Sequence, residues 1–218
     1  MKLAKYLAHS GVASRRKSKE LVLNGEILVN NEVIYEPSYL VKKEDIVTYQ
    51  GLNVVKEELV YYLVNKPRGV VSTVSDEKGR KTVLDLLDEE DREKRIYPVG
   101  RLDYDTTGVL LLTNDGELSY ILTRPEFDVP KTYLATVKGF FTKTAERRLK
   151  VGVRLDGYLT RPAMVTLKDK DVKNKTSLVE ITIIEGKNRQ VKEMFSHVGF
   201  PVISLTRTHY DFLTTEGV

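Results

Sequence analysis

The segment at residues 100–108 combines the residue types best suited to chemistry in this chain. It carries Arg101, Asp103 and Asp105 between two glycines, and it runs directly into an apolar stretch at residues 109–112. Such a stretch predicts a buried strand, and the Asn-Asp-Gly that follows at 114–116 predicts the turn that ends it. A loop held by a core strand can aim a reactive carboxylate. Asp103 is therefore the first candidate for chemistry, although an aspartate that caps a turn would produce the same pattern.

Two later segments could contribute to the same site. Lys131-Thr132-Tyr133 alternates like a strand, and its pattern alone favours a surface lysine beside a core tyrosine. Residues 185–192 carry a glycine, cations and amides at a predicted strand-to-helix junction. Such a junction could bind phosphate, or it could be a polar helix entry with Glu185 near the helix dipole. None of the three segments is specific when taken alone.

The composition narrows the class of protein. The chain has 218 residues and a net charge of +4, which weakly favours an anionic partner. No apolar run reaches the roughly 18 residues of a membrane helix, and the charged N-terminus does not predict a signal peptide. Cys is absent, which excludes thiol chemistry and fits a reducing cytoplasm. The three His are far apart in the sequence and predict no zinc site.

The N-terminal residues predict two short helices with a basic face. Leu3, Tyr6 and Leu7 recur at helical spacing before Gly11, and Ser14 is a suitable N-cap for a second helix. We expect a group of cations here to face outward, and they are the RNA-binding candidates of this region: Lys5, Arg15, Arg16 and Lys19. A solvated charged face is the alternative interpretation.

The rest of the chain predicts an α+β fold, because strands outnumber helices and do not alternate strictly with them. Strands are expected at 61–66, 70–73, 131–137, 163–167, 178–184 and 202–205, with helices at 117–122, 143–150 and 191–198. We expect a small N-terminal domain at residues 1–50, a linker at 51–58 and a larger domain at 59–218.

Residues 3–47 resemble the small RNA-binding domain named after ribosomal protein S-four. The resemblance is carried by the Gly-Val-Ala-Ser-Arg-Arg junction at 11–16 and the Asn-Gly-x-Ile-x-Val-Asn hairpin at 24–30. It implies that the basic helix lies against structured RNA and contacts phosphates.

Four motifs in order resemble the pseudouridine synthases, in the branch that includes the RsuA and RluB types. They are Asn-Lys-Pro-x-Gly at 65–69, Gly-Arg-Leu-Asp with its leucine run at 100–116, Lys-x-Tyr at 131–133 and Glu-Gly-x-x-x-Gln-Val-Lys at 185–192. The resemblance covers nearly the whole chain. It implies a small α/β RNA-binding domain followed by a catalytic domain on a mixed, mostly antiparallel sheet. In this branch a further strand or helix commonly follows the position where this sequence stops.

The resemblance also implies roles for individual residues. Asp103 would be the catalytic carboxylate, and Lys192 the cation that forms an ion pair with it. Tyr133 would stack on the target base, Arg101 would help to extrude that base, and Arg189 would bind RNA. We expect Asp105 to have a turn or surface role.

The expected activity is the isomerisation of uridine to pseudouridine in ribosomal RNA, without a cofactor or metal. Details of the Gly-Lys-Asn-Arg-Gln-Val segment favour the RluB type, which acts on large-subunit RNA, and the RsuA type, which acts on small-subunit RNA, stays open. A non-catalytic RNA-binding or ribosome-assembly protein is a second possibility, and a hydrolase that uses Asp103 and Asp105 is a third. Nothing in the sequence argues for an oligomer, so we expect a monomer. We also expect the protein to be cytoplasmic.

Overall fold

The computed structural model describes residues 1–217, so Val218, the last residue of the expected larger domain, lies outside the described residues. The chain forms two compact units. The first contains Met1–Val60 with Glu93–Arg95 and Asn114–Gly116, and the second contains the remaining described residues.

The first unit has two helices and a four-stranded antiparallel sheet. Its elements are α1 (Leu3–His9), α2 (Arg15–Leu23), β1 (Ile27–Val29), β2 (Glu32–Val33), β3 (Val47–Tyr49) and β4 (Leu52–Asn53), with the strands in the order β2-β1-β3-β4. The Ser14 hydroxyl accepts a hydrogen bond from Lys17 N at 3.2 Å, which confirms the predicted N-cap of α2. Leu3, Leu7 and Val22 are fully buried and anchor the helices on the sheet.

Residues 51–58, the stretch expected to be a linker, lie within the Met1–Val60 segment of this first unit. Leu52 and Asn53 pair with Tyr49 and Thr48 as β4, and Tyr6 donates its hydroxyl hydrogen bond to Val54 O at 2.9 Å. The strand β4 was not predicted, because a two-residue edge strand with exposed side chains shows no hydrophobic alternation in the sequence.

The second unit is built on a mixed sheet with helices around it. The strands of this unit are β5 (Tyr61–Lys66), β6 (Tyr97–Pro98), β7 (Thr107–Thr113), β8 (Lys131–Lys138), β9 (Arg154–Leu155), β10 (Tyr158–Leu159), β11 (Met164–Asp171), β12 (Thr176–Ile183), β13 (Val202–Tyr210) and β14 (Leu213–Thr214). The main sheet has the strand order β11-β12-β8-β13-β7-β5. Its helices are α3 (Glu89–Arg92), α4 (Gly116–Thr123), α5 (Lys143–Val151) and α6 (Gln190–His197), with short 3-10 helices at Val83–Leu86 and Pro125–Phe127.

The pairing pattern confirms the expected α+β class with a mostly antiparallel sheet. In the main sheet β13 and β7 run parallel, and the other neighbouring strands are antiparallel. The apolar run of β7 lies in the middle of the core, where Val109, Leu110 and Leu112 are fully buried. Continuous burial explains why this strand has no alternation in its sequence.

Two predicted strands differ in extent from the structure. Residues 70–73 form only an isolated bridge, between Val71 and Thr82, because Ser72 bonds instead to the backbone of Leu102. The last predicted strand continues beyond Leu205 as far as Tyr210. The extension brings Arg207 into the sheet. Within residues 1–217, no helix combines the length and apolarity needed to cross a membrane.

Candidate active site

The loop before β7 is fixed by hydrogen bonds on both sides of Asp103. Ser72 Oγ donates to Leu102 O at 2.9 Å and accepts from Leu102 N at 3.1 Å. Thr106 N donates to Asp103 O at 3.1 Å, which closes a turn over the carboxylate-bearing residues. These contacts hold the backbone of Asp103 in place, as a site that must aim a carboxylate requires.

Gly108 allows this loop to enter the sheet. Its φ is 109°, and a Cβ at this position would lie 2.1 Å from Arg207 O on β13. No side chain fits so close an approach of two backbones. The parallel pairing of Gly108 with Arg207 therefore depends on glycine, and it sets the position of the loop relative to β13.

A buried polar network shapes the entry to α6. Glu185 Oε1 accepts hydrogen bonds from Arg161 N at 2.9 Å and from the Gln190 amide. Gln190 Oε1 accepts in turn from Lys187 N at 3.0 Å. Glu185 is therefore a buried acceptor that organises the turn, and not a side chain that acts only through the helix dipole. The network positions Lys192 in the first turn of α6.

Lys192 is shared by two carboxylates of the loop. Its Nζ lies 2.7 Å from Asp103 Oδ2 and 2.6 Å from Asp105 Oδ1, and Arg189 Nη1 lies 3.6 Å from Asp103 Oδ2. The ion pair implied for Lys192 and Asp103 is thus present. Asp105 also belongs to this cluster, and the hydrogen bond from Lys192 holds the pKa of Asp105 below its usual value.

A cavity of about 390 Å³ opens beside this cluster. Five residues singled out from the sequence line it together: Arg101, Asp103, Tyr133, Arg189 and Lys192. Asp105 does not line it. The other four candidates, Lys5, Arg15, Arg16 and Lys19, lie on the helices of the first unit, where Arg15, Arg16 and Lys19 are exposed and Lys5 is half-buried.

Three buried cations near the cavity were missed as candidates. Lys66 Nζ donates to Thr106 O at 2.8 Å and Pro67 O at 3.0 Å, and burial lowers its pKa to about 8 in spite of the nearby Asp105 and Asp103. Lys131, expected on the surface, is only 8% exposed. Arg207 lay outside the predicted strand. The Asn-Lys-Pro-x-Gly and Lys-x-Tyr motifs were the available signals for the two lysines, whereas nothing local marked Arg207.

Within residues 1–217, His, Asp and Glu side chains form no cluster of three or more that could hold a metal ion.

Comparison with known proteins assigns a family to each unit. Residues 60–197 match the family model for RNA pseudouridylate synthases, and residues 1–47 match the S4 domain. Over 217 residues the chain is 48% identical to "Ribosomal large subunit pseudouridine synthase B" of Bacillus subtilis (strain 168), covering 100% of this chain and 88% of that protein. An RNA pseudouridine synthase of Aquifex aeolicus (strain VF5) is 37% identical over 95% of this chain and 82% of its own length.

A solved structure described as "Crystal structure of pseudouridylate synthase" superposes with a TM-score of 0.68 at 28% identity, over 100% of this chain and 92% of that one. The fold and the matches define an RNA-modifying enzyme with an accessory S4 domain. The chain belongs to the RNA pseudouridine synthase family.

Proposed function

We propose that this protein isomerises a uridine of large-subunit ribosomal RNA to pseudouridine, with Asp103 as the catalytic carboxylate. The observation that carries the proposal is the placement of Asp103 in the cavity, 2.7 Å from the ammonium of Lys192. The ammonium contacts one carboxylate oxygen and so fixes the orientation of the group. An ionised, oriented carboxylate beside a cavity is suited to attack or stabilise an electron-poor sugar carbon.

The reaction breaks the bond between uracil N1 and ribose C1′ and forms a bond between uracil C5 and the same carbon. C5 loses a proton and N1 gains one, so that no electrons and no groups are exchanged with another molecule. Asp103 could add to C1′, stabilise an oxocarbenium-like centre, or remove the 2′ hydrogen in a glycal route. Each route requires the carboxylate near the sugar and needs no cofactor.

The remaining cavity residues suit an extruded base. Tyr133 is 8% exposed and offers an aromatic surface on which a uracil can stack. Arg101 is exposed at the rim, where it can occupy the place that the base leaves in the RNA stack. Arg189, with a side chain 48% exposed, can contact a phosphate.

The large-subunit assignment follows the Bacillus relative, whose name states that substrate and whose sequence aligns over the full length of this chain. The first unit supports an RNA partner, because Arg15, Arg16 and Lys19 project from α2 into solvent. Cations on a rigid helix bind phosphates and release counterions.

The proposal is tested by incubating the protein with unmodified large-subunit and small-subunit ribosomal RNA and mapping pseudouridine in both. We expect pseudouridine at a specific position of the large-subunit RNA. Modification of the small-subunit RNA alone would show that the substrate assignment is wrong. Tight binding without product would favour the non-catalytic RNA-binding protein, and release of free uracil would favour a hydrolase.

A further inference from the structure

The floor of the cavity carries two cations on one face of the sheet. Lys131 and Tyr133 are two residues apart on β8, so their side chains point to the same side. Arg207 on β13 lies directly opposite Tyr133 in the register of the two strands. All three residues line the cavity beside Asp103.

Both cations are buried without a neutralising carboxylate. Lys131 is 8% exposed and Arg207 is 2% exposed. Lys131 Nζ donates to Val129 O at 3.0 Å and Arg207 Nε donates to Val109 O at 2.8 Å. Within residues 1–217, neither side chain forms an ion pair with a carboxylate, and Arg207 Nη2 is buried without a hydrogen-bond partner.

Burying these two cations lowers the stability of the fold unless a ligand supplies the missing acceptors. A buried charge needs a partner, and a buried donor without an acceptor loses the hydrogen bonds that water would provide. Burial, reinforced by the neighbouring Arg207, lowers the pKa of Lys131 to about 8. Lys131 therefore remains mostly protonated near neutral pH, and the cavity floor is electropositive.

We infer that Lys131 and Arg207 bind the electronegative edge of the target uracil and stabilise the negative charge that the base acquires when its bond to ribose breaks. The inference rests on the proposed function. The electron pair of the N1–C1′ bond stays with uracil, where the charge spreads over N1 and the carbonyl oxygens. The charge is discharged when C5 bonds to C1′, C5 releases its proton and N1 takes one up. Donors fixed in advance where charge develops are the usual means of stabilising such a step.

A flat heterocycle fits this floor better than a phosphate. Tyr133 and Leu205 lie beside the two cations and are both less than a tenth exposed, so the floor is flanked by apolar surface that favours a planar ring. Arg189 is half-exposed at the rim, where a hydrated phosphate is more readily bound. The buried Lys131 and Arg207 therefore suit the base of a nucleotide, and the half-exposed Arg189 suits its phosphate.

The inference is tested by calorimetric binding of two free bases to the full-length protein near neutral pH. The bases are 5-nitrouracil, which is ionised there, and uracil, which is neutral. We expect the wild type to bind the anion at least about tenfold more tightly. Lys131→Met should lose most of this preference with little change in uracil binding, and Arg207→Lys should keep part of it. Lys138→Met, an exposed lysine on the same strand, is the control and should retain the preference.

Equal affinity of the wild type for the two bases would overturn the inference without reference to any variant. A Lys131→Met protein that keeps the preference would overturn the role of that lysine. Inorganic phosphate that displaces 5-nitrouracil with comparable affinity, and whose binding Lys131→Met abolishes, would make the floor a phosphate site. Mapping of pseudouridine is a separate readout: an anion preference without product would refute the proposed function while leaving the electropositive floor in place.

Discussion

At the scale of single residues, the site is organised by one lysine that serves two carboxylates. Lys192 is only 11% exposed, and it contacts both Asp103 and Asp105. The motif order was enough to select Asp103 and Lys192 from the sequence. The hydrogen bond between Lys192 and Asp105 was not predictable from the sequence. The two residues are 87 positions apart, and the contact depends on how the loop before β7 packs against the start of α6.

The contribution of Lys192 can be measured on Asp105. The hydrogen bond from Lys192 is the largest cause of the lowered pKa of Asp105. In Lys192→Met we therefore expect the pKa of Asp105 to rise toward its usual value, as followed by NMR titration of the carboxyl carbon. The pair of Arg80 and Asp76, which does not involve Lys192, is an internal reference, and the pKa of Asp76 should not change. An unchanged pKa of Asp105 would contradict the contact.

The burial of Lys131 has a consequence for stability. Its pKa is about 8 in the folded protein, against 10.5 for a fully solvated lysine, the value expected in the unfolded chain. Between these values the unfolded chain binds more protons, so the free energy of unfolding rises with pH across this window. Lys131→Met removes this titration. We expect its free energy of unfolding to exceed that of the wild type most near neutral pH, with the difference shrinking above the folded pKa.

Urea unfolding at a series of pH values measures this effect, with Lys138→Met as the control that should follow the wild type at every pH. If the difference in free energy of unfolding between Lys131→Met and the wild type stays constant with pH, burial does not lower the pKa of Lys131 in the folded protein.

At the scale of elements, strong patterns were predictive and weak ones were not. The start of α2 was predicted from its cap at Ser14. The helix α5 and the strands β5, β7 and β8 were predicted close to their observed bounds. The strand β4 and the second half of β13 were missed. Their pairing is decided by neighbouring strands and not by their own side-chain pattern.

The junction of β7 and β13 gives the sharpest prediction at this scale. Gly108→Ala would place a methyl group 2.1 Å from Arg207 O at a φ of 109°. We expect a loss of about 2 kcal/mol or more in the free energy of unfolding, from backbone strain and from the lost parallel pairing. The protein should also lose activity, because the same junction positions the loop that carries Asp103.

Gly157→Ala is the matched control for this substitution. Gly157 has a φ of 79° in the same unit, but a Cβ there would meet nothing within 4 Å. It should cost only the backbone strain, about 1 kcal/mol. Equal losses for Gly108→Ala and Gly157→Ala in denaturant unfolding would show that close packing at the junction is not the constraint.

At the scale of the whole molecule, the chain combines a unit that carries the cavity with a unit that carries an exposed basic helix. The sequence predicted both units and the α+β class, because each has its own hydrophobic pattern and its own motifs. It did not predict β4, since this is a short edge strand without hydrophobic alternation. It also did not predict that Lys131 and Arg207 lie together in the cavity, because β8 and β13 are distant in sequence.

The contribution of the basic helix can be measured by salt dependence. Replacing Arg15, Arg16 and Lys19 by Gln should weaken binding to ribosomal RNA and reduce the slope of log affinity against log salt by about two, because each phosphate contact contributes somewhat less than one. A matched variant replaces three exposed lysines on β11 and the following turn, Lys168, Lys170 and Lys173, and should leave the slope nearly unchanged. Equal slopes for the two variants would contradict an RNA-binding role for α2.

The role of Asp103 is tested most directly by comparing two substitutions that each remove one partner of Lys192. Asp103→Asn and Asp105→Asn should be assayed for pseudouridine formation on unmodified large-subunit RNA under single-turnover conditions, with RNA affinity measured alongside. Because Asp103 lines the cavity and Asp105 does not, we expect no detectable product from Asp103→Asn at an RNA affinity within a few-fold of the wild type. Asp105→Asn should slow the reaction without abolishing it. Continued turnover by Asp103→Asn would contradict the assignment of this carboxylate as the catalytic group.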